Sequence, residues 1–271
     1  MGIKRILSGV FGLPIIALLL VFGNKYILDV FLAVIAIISI HEYMNAMEKK
    51  DIKPVKWLGY ILAASIAGIH LIPIDMITKF LGLGLVTIVA VLFTIVIVRE
   101  MKTNISDIVV SLFGYIYIIG FIAFLALLYG LENVGKFYIW YIFLATWGCD
   151  IFAFCIGSKF GKHKFSKISP NKSIEGCVAG TVGGVLLVIL YTILLNNVFA
   201  MNINYIVAGI IGFVLAILGQ IGDFSASAIK RYVGIKDYSN LIPGHGGMID
   251  RIDSVIFAAP FAYYLINILM M

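Results

Sequence analysis

The sequence is poor in charge and shows no alternation of polar and apolar residues. Asp, Glu, Lys and Arg make up 13% of its 271 residues, whereas 62% are hydrophobic. Soluble globular domains carry about 25% charged residues, so this composition excludes a single water-exposed domain. The apolar runs are unbroken, and this argues against a transmembrane β-barrel, whose strands alternate. The sequence therefore predicts an all-α, polytopic integral membrane protein.

The sequence is also poor in cysteine. Its three cysteines, Cys149, Cys155 and Cys177, do not show metal-ligand spacing, and an odd number cannot all pair as disulfides. We interpret them as small buried hydrophobic residues.

Apolar runs of membrane-spanning length occur along the whole chain. A helix needs about 20 residues to cross a hydrocarbon core of about 30 Å. By this measure we predict nine transmembrane helices, at residues 6–23, 26–45, 57–74, 80–98, 108–129, 137–157, 178–198, 204–222 and 254–270. We expect the first of them to be retained, because no small-residue cleavage site follows it.

The basic residues predict the orientation of these helices. With a cytoplasmic amino terminus, the cytoplasmic loops contain every one of the 20 Lys and Arg residues except Lys25, Lys79 and Lys136. Such asymmetry is typical of a positive cytoplasmic face. The net charge of +6 then reflects contact with an anionic membrane and gives no reason to expect a nucleic-acid partner. We expect a bacterial inner (plasma) membrane as the location.

The polar residues that could carry chemistry are concentrated in the carboxyl-terminal half. We therefore predict a scaffold of transmembrane helices over 1–136 and a second group, with cytoplasmic catalytic loops, over 137–271. In the first half, Asp29 lies inside a predicted span, where it either serves a function or caps or pairs a helix.

The first polar stretch is the basic loop 157–176, "GSKFGKHKFSKISPNKSIEG". Most of its lysines are read as a positive membrane anchor. Lys172 differs because it lies between turn residues and the start of the next predicted helix. Amide groups at a helix start, together with a lysine, can hold phosphate oxygens.

The second polar stretch, 219–254, places charges on two predicted helix faces. Asp223, Ser227, Lys230 and Arg231 share one face if residues 223–233 are helical, and Asp250 and Asp253 share another if the chain is helical from Met248. Between these helices, Pro243 and three glycines permit a tight turn with N–H groups exposed toward an anion.

Two interpretations of these charges remain open at this point. They could form a lattice of ion pairs that joins helix ends, because charges near hydrocarbon are costly unless paired or hydrated. Alternatively, the carboxylates hold Mg²⁺ while the lysines and arginines neutralise phosphate groups. Only the second interpretation accounts for the glycines, and it predicts a site for a nucleotide and a phosphorylated lipid.

The segment "SAIKRYVGIKDYSNLIPGHGGMIDRID", residues 227–253, resembles the signature of the CDP-diacylglycerol synthases, or phosphatidate cytidylyltransferases. The similar features are Ser-x-x-Lys-Arg, the Lys236-Asp237 pair, the Pro-Gly-His-Gly-Gly turn and the closing Asp-Arg-x-Asp. Upstream residues that are similar to the family pattern are Asp150, Gly157, Gly161, Ser169 to Ser173, Glu175, Gly176, Gly222 and Asp223. The chain departs from the pattern at Asn171, Ser173, Ala226 and Tyr238.

The resemblance implies condensation of CTP with phosphatidic acid to CDP-diacylglycerol and pyrophosphate, supported by Mg²⁺ or Mn²⁺. The implied metal ligands are Asp223, Asp250 and Asp253, and the implied catalytic residues are Asp223, Ser227, Lys230, Arg231 and Asp250. The implied substrate-binding residues are Lys172, Ser173, Lys236, Asp237, His245, Gly246, Gly247 and Arg251. Asp150 and Glu175 would contact the ligand residues and not the substrates themselves. Lys236 and Asp237 could form an ion pair with each other. The resemblance also makes us expect a homodimer.

Two other functions use similar residues. A CTP-dependent lipid or polyprenol kinase would transfer the γ-phosphoryl group instead. An ion-coupled transporter would bind a cation at intramembrane acids beside a glycine-rich segment.

Overall fold

The structure is a computed structural model in which most residues are helical. It describes residues 14, 16–98, 103–166, 169, 172–241, 244 and 246–270. Residues 16–22 are helical. The helices that follow are α1 (Lys25–Glu48), α2 (Lys56–Ser65, continued by a 3₁₀ helix over Ile66–Leu71), α3 (Ile74–Val98), α4 (Ile105–Gly114, continued by a π-helix over Tyr115–Gly120), α5 (Phe121–Tyr129), α6 (Gly135–Phe160), α7 (Ile174–Phe199), α8 (Tyr205–Val233) and α9 (Ile249–Leu269). The predicted all-α class is confirmed.

Six helical stretches in the described residues are long and apolar enough to cross a membrane, so the chain is a multi-pass membrane protein. They are Lys25–Glu48, Ile105–Tyr129, Gly135–Phe160, Ile174–Phe199, Tyr205–Val233 and Ile249–Leu269. Two further apolar helices, Lys56–Leu71 and Gly82–Val98, are shorter. Half of the first predicted span lies outside the described residues, and the count of nine stays a prediction.

Polar side chains fix where several helices begin. The Asn24 side chain accepts a hydrogen bond from the Ile27 N–H at 2.9 Å, and α1 starts at Lys25, directly after Asn24. Ser173 does the same for α7, where its Oγ accepts from the Gly176 N–H at 3.1 Å. Such caps satisfy amide groups that have no partner inside the helix.

The helices belong to two compact units of the chain. One unit comprises Met1–Gly130 and Val233–Ile249, and the other comprises Leu131–Tyr232 and Asp250–Met271. In the first unit, Asp29 is fully buried in α1, and both of its carboxylate oxygens lie 2.8 Å from Nδ1 of His70. Asp29 thus pairs with another helix, which was one of its predicted roles.

In the second unit, small residues bring α6 and α7 close together. A Cβ atom added at Gly180 would lie 2.6 Å from the Cys149 carbonyl oxygen, and one at Gly184 would lie 2.6 Å from the Ala145 oxygen. Glycines four residues apart line one helix face and allow close backbone contact between membrane helices. This contact holds the backbone of Cys149, the residue before Asp150, against α7.

Another glycine brings α8 against α9. A Cβ atom added at Gly222 would lie 2.6 Å from the carbonyl oxygen of Asp253, so no larger side chain fits there without a shift. Gly222 directly precedes Asp223 in the sequence. The close approach therefore places Asp223 of α8 near Asp253 of α9.

The cysteines are only partly as expected. Cys149 and Cys177 are buried, but Cys155 is exposed. It lies on a face of α6 that also exposes Ile151, four residues earlier. The prediction of burial was wrong for Cys155 because this face of α6 is not covered.

Candidate active site

The second unit contains a cavity of about 340 Å³ between its helices. Its lining residues are Trp147, Asp150, Lys172, Asp223, Asp250, Arg251, Asp253 and Ser254. They come from α6, α8, α9 and the loop before α7. Five of these eight, namely Lys172, Asp223, Asp250, Arg251 and Asp253, were predicted as site residues from the sequence.

The lining is rich in negative charge. Four carboxylates and two cationic side chains face the cavity, which leaves two negative charges in excess when all six groups are ionised. The ammonium group of Lys230 offsets one of them by pairing with Asp250. Carboxylate oxygens are the ligands that Mg²⁺ prefers. The chemistry of this donor set therefore fits a divalent cation.

Lys172 and Asp223 form an ion pair at the cavity, and each side chain is 25% exposed. The Lys172 ammonium also lies 4.8 Å from the centre of the Phe224 ring, a cation–π distance. The backbone of Lys172 is held too, since its carbonyl oxygen accepts from the Phe165 N–H at 3.0 Å. The lysine is thus positioned by its loop and by α8 together.

The surroundings keep Lys172 charged. Burial alone would lower its pKa, but the negative charges of Asp223 and Asp150 outweigh this effect and hold the pKa above its ordinary value. The cation is therefore present throughout the physiological pH range, ready for an anionic ligand.

A second ion pair joins α8 to α9. Nζ of Lys230 lies 2.6 Å from Oδ1 of Asp250, with 12% of the lysine side chain and 2% of the aspartate side chain exposed. Together with the contact of Gly222 to Asp253, this pair shows that α8 and α9 run side by side in opposite directions. The helix faces predicted for Asp223 with Lys230, and for Asp250 with Asp253, are confirmed.

The predicted metal ligands share the cavity but do not form a ready-made metal site. Among the described residues, no three His, Cys, Asp or Glu side chains are arranged so that they could hold a metal ion. Two of the three predicted ligands, Asp223 and Asp250, are instead paired with lysine ammonium groups. Their coordination of a metal stays a prediction.

Other predicted residues lie away from the cavity lining. Ser227 and Arg231 are in α8 but do not line the cavity, and Ser173 is buried as the cap of α7. The structure gives no ion pair between Lys236 and Asp237, both of which it describes. The predicted substrate residues Lys236, Asp237, Gly246 and Gly247 belong to the first unit, and His245 lies outside the described residues.

The anion expected at the glycine-rich turn is supplied in part by the protein itself. The Glu42 carboxylate of α1 accepts hydrogen bonds from the N–H groups of Met248 and Ile249, at 2.9 and 3.0 Å. The sequence had suggested that N–H groups of this turn face a substrate. At these two positions they face Glu42.

Sequence reasoning missed several residues of the site. Asp150 was expected only behind the ligands, yet it lines the cavity, as do Trp147 and Ser254. Trp147 could have been found from its spacing, since it lies one helical turn before Asp150. Glu42 gave no such signal, because its partners lie about 200 residues away in the sequence.

Comparisons with known proteins identify the family of the chain. The profile of the cytidylyltransferase family matches residues 3–269. A phosphatidate cytidylyltransferase of Staphylococcus haemolyticus is 30% identical over 268 residues, and one of Staphylococcus aureus is 32% identical over 274, each alignment covering 98% of both chains. A phosphatidate cytidylyltransferase of Bacillus subtilis is 38% identical over 137 residues, 50% of this chain and 49% of that protein. The chain thus belongs to the cytidylyltransferase family.

Proposed function

We propose that the chain is a phosphatidate cytidylyltransferase, a nucleotidyltransferase that condenses CTP with phosphatidic acid to CDP-diacylglycerol and pyrophosphate. The observation that carries this proposal is the cavity in which four carboxylates face Lys172 and Arg251 among apolar helices. Relatives that align over nearly their whole length bear the name of this activity.

The reaction needs charge neutralisation more than a strong base. A phosphate oxygen of the lipid attacks the α-phosphorus of CTP, the bond between the α-phosphorus and its bridging oxygen breaks, and pyrophosphate leaves with the electron pair. The attacking oxygen is already ionised at neutral pH. The enzyme must therefore bring two anions together and stabilise the charge on the leaving group.

The proposed roles follow from where the side chains lie. Lys172 and Arg251 face the cavity directly and would contact phosphate oxygens. Lys230 would do so by leaving Asp250, which its ammonium now contacts. Ser227 and Arg231, farther along α8, remain proposed contacts of the substrates.

The cavity carboxylates would hold Mg²⁺, with Mn²⁺ as a substitute. Asp223, Asp250 and Asp253 are the proposed ligands, and the excess negative charge of the lining supports them. When bound, the metal would neutralise phosphate charge. Two of these ligands are also paired with lysine, Asp223 with Lys172 and Asp250 with Lys230.

We further propose that residues 137–271 carry catalysis and residues 1–136 form a scaffold. All eight lining residues fall in the former range, which supports this division. The distribution of basic residues supports a cytoplasmic site in a bacterial inner membrane. A homodimer is proposed on the resemblance alone.

A product assay with labelled CTP tests the proposal. The purified chain is incubated in detergent with phosphatidic acid and CTP that carries ³²P at either the α- or the γ-position. We expect α-label in the lipid and γ-label in pyrophosphate. Label from the γ-position in the lipid would instead indicate a lipid kinase, and an absence of both labels from the lipid would favour a transporter.

A further inference from the structure

Glu42 is a buried carboxylate that the reaction described above does not use. It lies near the end of α1 with 4% of its surface exposed. Its Oε1 accepts from the Ser239 hydroxyl at 2.5 Å and from the Met248 N–H at 2.9 Å, and its Oε2 accepts from the Ile249 N–H. Three donors from one segment therefore converge on a single carboxylate.

Gly247, which directly precedes Met248, leaves room for this carboxylate. A Cβ atom added at Gly247 would lie 2.6 Å from Oε2 and 2.8 Å from Oε1 of Glu42. Carbon and oxygen atoms without a bond do not approach so closely, so a larger residue would force Glu42 or the segment to move. One function of a glycine at this position is thus to let Glu42 reach the backbone.

The contacts also fall at the start of a helix that carries site residues. Met248 and Ile249 immediately precede Asp250, and α9 begins at Ile249. The first amide groups of a helix lack partners within the helix, and a carboxylate there is favourable. A buried charge is costly unless it is hydrogen-bonded, and these three donors meet that need.

We propose that Glu42 is a positioning residue, which holds Ser239, Met248 and Ile249 and thereby fixes the start of α9 directly before Asp250. It acts through Ile249, which is bonded to Asp250. Displacing a catalytic group by about 1 Å can cost about 10²-fold in rate. Its effect on catalysis rests on the proposed function, whereas its contacts with the segment do not.

The variant Glu42→Gln tests this inference with little change in shape. A glutamine retains one acceptor oxygen, but its amide nitrogen cannot accept from a backbone N–H. At least one of the two amide contacts is therefore lost. Glu48→Gln is the matched control, because Glu48 lies on the same helix and makes an exposed ion pair with Lys56 at 2.8 Å.

Two measurements are made on each variant purified in detergent. Steady-state kinetics separate kcat from KM for CTP, and hydrogen exchange reports on the amides of residues 246–250. For Glu42→Gln we expect kcat to fall about tenfold or more, with KM for CTP within about twofold of the wild type. We also expect faster exchange at Met248 and Ile249, and neither change for Glu48→Gln.

The outcomes are separable. Unchanged exchange would refute the contact, and faster exchange with unchanged kcat would refute the positioning role. If Glu42→Gln does not fold, Ser239→Ala removes one of the three donors and is read by the same two measurements. If the wild-type chain transfers no cytidylyl group, the proposed function fails, and the exchange data alone decide whether Glu42 holds the segment.

Discussion

Replacing Lys172 by methionine removes a cavity cation while retaining much of its volume. In the structure, the Lys172 ammonium pairs with Asp223 and lies over the Phe224 ring. Methionine can retain the contact with the ring but cannot neutralise Asp223 or a phosphate. The substitution therefore removes the charge of a residue whose backbone is fixed by its loop.

The size of the effect follows from the distance over which the charge acts. Two unit charges 4 Å apart interact with about 4 kcal/mol at an effective dielectric constant of about 20, a value suited to a partly exposed site. Part of this interaction is already present with bound CTP and appears in KM. If about 3 kcal/mol is specific to the transition state, kcat falls roughly 10²-fold.

The assay is the formation of labelled CDP-lipid at saturating CTP and phosphatidic acid, and Lys164→Met is the matched control. Lys164 lies in the same basic loop, has an exposed side chain, and bridges Ser173 through its backbone. We expect the control to retain activity within about twofold of the wild type. Equal losses of kcat in the two variants, or no loss in Lys172→Met, would contradict the role of Lys172.

Two further predictions concern the metal and the orientation of the chain. Because the cavity carboxylates repel one another without a cation, we expect excess chelator to abolish activity, and Asp223→Asn or Asp250→Asn to remove most of it without unfolding the protein. Full activity in chelator would disprove a metal requirement. In a background without native cysteines, a cysteine replacing Lys164 or Ser239 should be shielded from impermeant reagents added to intact cells, whereas one replacing Asn133 should react. Labelling of the first two from outside would reverse the predicted topology.

The helices could be located from the sequence because the property that defines them is local. An apolar run of sufficient length needs a helix to satisfy its backbone in a membrane, whatever the rest of the chain does. The predicted spans 137–157 and 178–198 accordingly lie within α6 and α7. Their ends were less predictable. The predicted span 204–222 ends at Gly222, where the mean hydropathy falls. In the structure, α8 remains helical through the more polar residues that follow and ends at Val233.

The site was predictable where its residues repeat with the period of a helix. Asp223 and Lys230 were assigned to one face of a helix from their spacing, and in the structure Asp223 pairs with Lys172 and Lys230 pairs with Asp250. The spacing could not show which residues the lysines contact. In the structure they pair with carboxylates that had been assigned to a metal, because oppositely charged groups near hydrocarbon stabilise each other.

Glu42 shows why the remainder of the site could not be predicted. Its carboxylate receives the N–H of Met248, 206 residues later in the sequence, and no periodicity connects two such positions. A glutamate at the end of a membrane helix is ordinarily solvated, so the residue itself gives no signal of burial. The glycines of the turn indicated only that some anion or close backbone contact was required. From the sequence alone, a substrate phosphate and a carboxylate of the same chain are equally suitable anions for this turn. Only the three-dimensional structure shows that the N–H groups of Met248 and Ile249 donate to Glu42.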